Sequence, residues 1–410
     1  MGKDWGLVGW CAAAASLAAA AGAQAGAFAI RTQSAYGQGS SFAGIAAGGS
    51  LSSIFWNPAN LAMVRGLQLE LGGTGILPDV HVKLDPAPAL GFPGSDEGNI
   101  AKNALVPAAY AAYRLNDRVV LGVGLNSPFG LITEYDDDSI LSQTGVAGKS
   151  EVYSVNVNPV ASLELTRWLA LAVGAQIQYF DARLTRQAVG PLGIARLEGD
   201  DVGFGLTAGI KVTPRPGTAI GLGYRSFVDH DLDGTLETPT AGNFDVTYDN
   251  VTTPDLVTLG IRQTITDRFR VMAGAEWSNW SRFDTVEIKN GPAPIDLQFN
   301  YDDGWFITVG GEFDLTPRLT MRSGVGYEWG PIDDNVRTYR IPDGDRLQLS
   351  AGVTYRLDNR FSFDLGYSFA AVEDMSIRAA DAGGPEANGP FSGRADTHVH
   401  YIAAALKVKL

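Results

Sequence analysis

The sequence predicts an all-β fold, a transmembrane 14-stranded antiparallel β-barrel with an N-terminal hatch, or plug, inside its lumen. Three observations carry this. Apolar and polar residues alternate with a period of two over runs of about ten residues. Short polar turns alternate with long connections, and the stretch before the first strand shows no alternation at all.

From the start of the chain, Lys3 precedes an apolar stretch, Trp5 to Gly22, closed by Ala23-Gln24-Ala25, the small-x-small pattern a signal peptidase cleaves. Residues 1–25 are expected to be a removed signal peptide, with Gly26 first in the exported chain. A retained anchor fits less well, because the run is Ala-rich, short for a span and not followed by a basic cluster. Cys11, the only cysteine, lies within it. Disulfide stapling, thiol catalysis and Cys-ligated metal are thereby excluded, and stability must come from a large hydrogen-bonded architecture.

Residues 26–66 are rich in Gly, Ala and Ser, and such small residues allow close backbone packing inside a barrel. The first convincing strand begins at Leu67, so 67–410 is assigned to the barrel. Its strands alternate cleanly. Phe361, Phe363, Leu365, Tyr367 and Phe369 share one face, against Ser362, Asp364, Gly366, Ser368 and Ala370. Runs from Arg346 to Tyr355 and from Leu169 to Gln178 repeat the pattern. Tight turns recur at Asn116-Asp117, Thr166-Arg167, Pro214-Arg215, Thr266-Asp267, Thr316-Pro317 and Asp358-Asn359. Between them, 81–103, 134–149, 188–199, 331–345 and 376–393 read as loops. With both termini on the short-turn side, six turns link seven hairpins, hence 14 strands. Short turns on one side and long loops on the other describe a bacterial outer-membrane barrel; a β-sandwich would have shorter strands. Fourteen strands enclose a lumen that is either open or plugged. The net charge of −14 makes nucleic acid an unsuitable partner.

Ser52-Ser53-Ile54-Phe55-Trp56-Asn57-Pro58-Ala59 resembles the hatch signature of the FadL family of outer-membrane transporters for long-chain fatty acids, which includes toluene-type hydrocarbon channels. Ser127-Pro128-Phe129-Gly130-Leu131 with Thr133-Glu134 is similar to the family's third strand. Trp277-Ser278-Asn279-Trp280-Ser281-Arg282-Phe283 resembles its ninth, and Ile341-Pro342-Asp343-Gly344-Asp345-Arg346 leads into its twelfth. The resemblance implies passive transport of hydrophobic small molecules, with no cofactor. Solute would leave through a lateral portal where the third strand kinks at Pro128, Phe129 and Gly130, and Asn57, Pro58 and Ala59 would form a gate in the hatch. It also implies outer-membrane lipid as surroundings and the barrel assembly machinery as a partner in biogenesis. Arg186 falls where the family places a basic residue for a ligand carboxylate, whereas no lysine stands at the second basic position, around Asn300. Arg322 and Glu328 are candidate polar residues of the lumen.

Other signals point away from chemistry. Asp229, Asp231, Asp233 and Gly234 begin a calcium-loop pattern, but Thr240 stands where it needs Glu, and a strand end reads better. His398 and His400 share a strand face without a third metal ligand. His81 and His230 read as strand-end or loop residues, so no serine–histidine constellation emerges. Sequons at Asn250 and Asn279, and the Gly221-x-Gly223 pair, lack the setting that would give them meaning. In the last strand Ile402, Ala404, Leu406 and Val408 alternate with polar positions. It ends at Leu410, where the family commonly has an aromatic residue. A monoaromatic hydrocarbon channel, a general porin and a surface adhesin are the alternatives; a porin has no need of a 26–66 plug.

Overall fold

The computed structural model describes residues 26–187, 193–292, 294–378 and 389–410. The expected signal peptide lies outside them. Fourteen strands form the wall: β1 (Leu67–Leu84), β2 (Ala104–Arg114), β3 in two segments (Val119–Asn126 and Gly130–Glu134), β4 (Lys149–Thr166), β5 (Leu169–Gln187) and β6 (Ile194–Arg215). Next come β7 (Thr218–Arg225 and Val228–Thr238), β8 (Gly242–Thr253 and Leu256–Thr264), β9 (Phe269–Ser278 and Thr285–Lys289) and β10 (Ile295–Gln298 and Gly304–Asp314). The wall ends with β11 (Leu319–Trp329), β12 (Arg346–Arg356), β13 (Phe361–Val372 and Met375–Ile377) and β14 (Gly393–Lys409). Each pairs antiparallel with its neighbour, and β14 closes on β1 from Lys409↔Gln68 to Gly393↔Leu84. Closure removes the free outer edges of the sheet, as strands that cross a membrane require. Among the described residues no helix is long and apolar enough to cross one.

The two faces of the strands settle which side meets lipid. Leu71, Val173, Phe204 and Leu206 are 65 %, 66 %, 72 % and 66 % exposed, which so continuous an apolar surface tolerates only against hydrocarbon. The face with Asp364, Ser368 and Gln348 is buried and looks inward. All six short turns join consecutive strands. Strands of about ten residues fall short of the observed length: β5 has 19 residues and β6 has 22, so this hairpin rises beyond the bilayer. Expected loops are also partly strand, 376–393 at both its ends. Ser95–Asn99 pairs back on β1 through His81↔Asn99 and Leu84↔Ser95, and β6 already begins at Ile194. Extended pairing above the membrane satisfies backbone groups that a loop would leave to water.

Residues 26–66 fill the lumen as short turns: a helix at Ala35–Gln38 and 3-10 turns at Ile45–Ala47, Leu51–Phe55 and Pro58–Met63. They are buried almost throughout. The wall admits them because its inward positions there are glycine. A Cβ on Gly221 or Gly223 would fall inside the carbonyl oxygens of Ala46 or Trp56, and one on Gly324 would fall inside that of Ser40.

Candidate functional site

The hatch is fixed to the wall by buried charge. Arg31 donates from Nε to Glu276 at 3.0 Å and from its two Nη atoms to Glu328 at 3.0 and 3.1 Å, and its guanidinium lies 4.1 Å over the Phe306 ring. Arg346 also faces Glu328, at 3.6 Å. Lower down, Tyr36 donates to Glu312 at 2.6 Å, and Arg322 lies 4.1 Å over the Tyr36 ring while facing Glu312 and Asp364. Arg322 and Glu328 are buried on inward-facing positions of β11, and what they hold is the hatch.

Asn57 is a second kind of anchor. Its Oδ1 accepts from the Ala59 amide at 3.0 Å, capping the Pro58–Met63 turn with Pro58 at the first position. Its Nδ2 donates to the Ala46 and Ile210 carbonyls at 2.7 and 3.0 Å, joining two hatch turns to β6. Asn57 and Ala59 are fully buried, so the triplet works as a cap and staple.

Pairing between β2 and β3 is interrupted. β2 pairs with β3 only from Ala109↔Leu125 to Arg114↔Val120, and above this Ala104–Ala108 pair with β1. Between Asn126↔Asn156 and Gly130↔Tyr153, three residues of β3, Ser127–Phe129, stand against two of β4. The extra residue is a bulge that bends the strand, and Pro128 lacks the amide a continuous ladder would need. Pro107 stands on the opposite edge, also without an amide. The hatch fills the opening: Ile30 donates to the Pro128 carbonyl at 2.7 Å, Gly130 to the Phe28 carbonyl at 2.9 Å, and Gln33 to the Ser127 carbonyl at 2.6 Å.

Beside the gap lies a narrow apolar cavity of about 90 Å³, lined by Phe180, Leu232, Tyr248, Phe283 and Leu297, with Phe28 at its wall. The Phe28 ring meets Trp280 at 4.8 Å, Phe283 at 5.2 Å and Phe129 at 6.0 Å between centroids, each edge-to-face. Phe28 is the hatch residue that lines this space.

Arg186 does not reach this cavity. It shares the inward face of β5 with Phe180 and Leu184, but two residues past Leu184 it is exposed. The cavity's basic residue is Arg340. The 331–345 connection folds back into the mouth, pinned by Thr133 donating to the Arg340 carbonyl at 2.9 Å and Tyr135 to that of Tyr339 at 2.7 Å. The Arg340 side chain then donates to Ser150 Oγ at 3.3 Å and the Thr185 carbonyl at 3.2 Å. Period-two reasoning places strand residues and is silent on a loop that turns inward. Phe28, Trp280 and Phe283 were missed as well. For Trp280 and Phe283 the signal was the loss of alternation at Asn279–Asp284, where a 3-10 turn at Trp280–Arg282 carries Trp280 inward.

His230 departs from its expected place at a strand end or loop. It is buried within β7, its Nδ1 2.9 Å from Asp201 and its Nε2 3.1 Å from Gln178, stacked on Phe180. Asp229, Asp231 and Asp233 occupy the opposite, exposed face. His400 meets the Tyr367 hydroxyl at 2.8 Å and His398 lies 3.9 Å from Asp79. Among the described residues no cluster of His, Cys, Asp or Glu is arranged to hold a metal.

A closed 14-strand barrel, apolar outside and plugged inside, defines an outer-membrane barrel protein. The chain belongs to the family described as outer membrane protein transport protein (OMPP1/FadL/TodX), whose profile matches residues 16–409. It is 26% identical over 358 residues to the long-chain fatty acid transport protein of Escherichia coli O6:H1, covering 76% of this chain and 79% of that one. The crystal structure of a Pseudomonas aeruginosa FadL homologue superposes with a TM-score of 0.82 at 21% identity, covering 93% of this chain and 99% of that one. The toluene transporter TodX of Pseudomonas putida gives 0.70 at 18% identity, covering 94% and 100%.

Proposed function

We propose that the protein passively carries hydrophobic compounds, long-chain fatty acids first among them, across the outer membrane and releases them sideways through the gap between β2 and β3. The observation that carries this reading is that the cavity's stopper and the gap's seal are one segment, Phe28–Ile30. A solute that displaces the Phe28 ring also strains the hydrogen bonds closing the wall.

The magnitudes favour a long solute. Withdrawing Phe28 forfeits about 3 kcal/mol of burial and opening two hydrogen bonds costs about 1 kcal/mol each, against a gain of about 0.8 kcal/mol per buried methylene. Roughly six or seven methylenes offset the opening, and a fatty acyl chain exceeds that comfortably. Arg340 at the rim suits the carboxylate, a head group costly to leave unpaired in an apolar site. Membership in a family of transport proteins favours transport over catalysis.

The test is uptake of radiolabelled oleate beside toluene, in cells lacking their own hydrophobic-solute channels and expressing this protein or its Arg340→Gln form. Oleate binding should fall about tenfold or more in the variant, as expected for a lost charge-assisted bond, with toluene unaffected. Equal loss for both solutes would remove the head-group role. Uptake of toluene alone would make the protein a hydrocarbon channel, and uptake of neither would end the transport reading.

A further inference from the structure

The short-turn rim repeats one device. In five of the six turns a side-chain oxygen, from Asn116, Thr166, Thr266, Thr316 or Asp358, accepts from the backbone amides two and three residues on. Just before that oxygen stands an exposed apolar residue: Leu115, Leu165, Ile265, Leu315 or Leu357. Every turn also carries an exposed arginine: Arg118, Arg167, Arg215, Arg268, Arg318 and Arg360.

Those six arginines share a setting that most exposed arginines of the chain lack, Arg186 and Arg356 being the others without an ion pair among the described residues. With 45 acidic against 31 basic residues, carboxylates are in excess, and exposed arginines elsewhere, such as Arg65, Arg183, Arg196 and Arg394, face one within 4.0 Å. Among the described residues none of the six turn arginines does. The turn heads offer few carboxylates in any case: Asp117, Asp267 and Asp358, the last occupied in capping its own turn.

We propose that this rim is a binding surface for the anionic head groups of phospholipids in the periplasmic leaflet. The lipid-facing belt continues into the turn in several hairpins, through Tyr113 to Leu115, Phe313 to Leu315 and Tyr355 to Leu357. The guanidiniums begin within three residues of that apolar edge, at the depth of the phosphates rather than out in the periplasm. A guanidinium matches phosphate oxygens with two parallel N–H donors, and cations at the membrane surface gain from anionic lipid. The capped turns set the depth: apolar residues are submerged, and the cations stand one turn-width above them.

The full-length protein in phosphatidylcholine bilayers doped with phosphatidylglycerol provides the test, with lipids that remain bound after extraction quantified by mass spectrometry. Wild type should enrich phosphatidylglycerol over the bulk by about threefold or more. A variant carrying R118Q, R268Q, R318Q and R360Q should fall to parity, the matching four-lysine variant should keep most of the enrichment, and R183Q with R196Q on the loop side should behave as wild type. Heat-modifiable gel mobility reports that each barrel is folded. No enrichment in wild type, unchanged enrichment in the glutamine variant, or loss from the loop-side changes instead would overturn the proposal.

Discussion

Glu328 is 4 % exposed and shared between Arg31 of the hatch and Arg346 of the wall, so its charge is held on both sides of the hatch–wall boundary. Removing one member of such a buried set leaves the others uncompensated and costs about 3 kcal/mol or more. Glu328→Gln should therefore lower the urea midpoint of the protein in micelles and raise its ion conductance as the hatch loosens; a change below about 1 kcal/mol would mean that the charges are solvated. The inward direction of Arg322 and Glu328 was legible from strand alternation. Their partner was not, because Arg31 sits in a segment with no periodicity, and pairing across 297 residues of sequence leaves no local trace. Arg186 shows the converse. It was placed by family position alone, but β5 outlasts the cavity, and Arg340 arrives on a folded-back connection.

Strands and turns follow from rules of short range, so they were readable: period-two alternation, six polar turns, an even count. The strand ends were not, since pairing above the membrane depends on partners distant in sequence. The Gly221-x-Gly223 pair carried no meaning as a motif, and its reason is spatial: the hatch backbone passes where their side chains would be. Gly223→Val should push the Trp56 segment off β7, an overpacking cost of about 1–3 kcal/mol. Single-channel conductance should rise while the folded gel mobility is kept, and unchanged conductance would show that the hatch can shift without opening a path. Phe28→Ala makes the opposite change at the cavity. It should enlarge the space and raise oleate uptake severalfold, by removing about 3 kcal/mol of opposing burial.

For the molecule as a whole, closure and orientation express one constraint, that every backbone group must be satisfied in hydrocarbon, and the interior, wider than an eight-strand core, is filled by the hatch. The sequence carried that architecture plainly because the constraint acts on every strand at once. Several strands carry bulges, but the one in β3 adjoins the stretch where β2 and β3 do not pair, and the proposed exit depends on it. The most direct measurement is oleate uptake by a variant lacking Pro128. Removing one residue returns β3 to equal count with β4, so the ladder can run through from Asn126 to Gly130 and close the gap, with the hatch and its ion pairs in place. A lateral exit requires uptake to drop at least about tenfold while the barrel remains folded and oleate still binds. Uptake at the wild-type rate through a closed wall would contradict it and send the solute past the hatch instead.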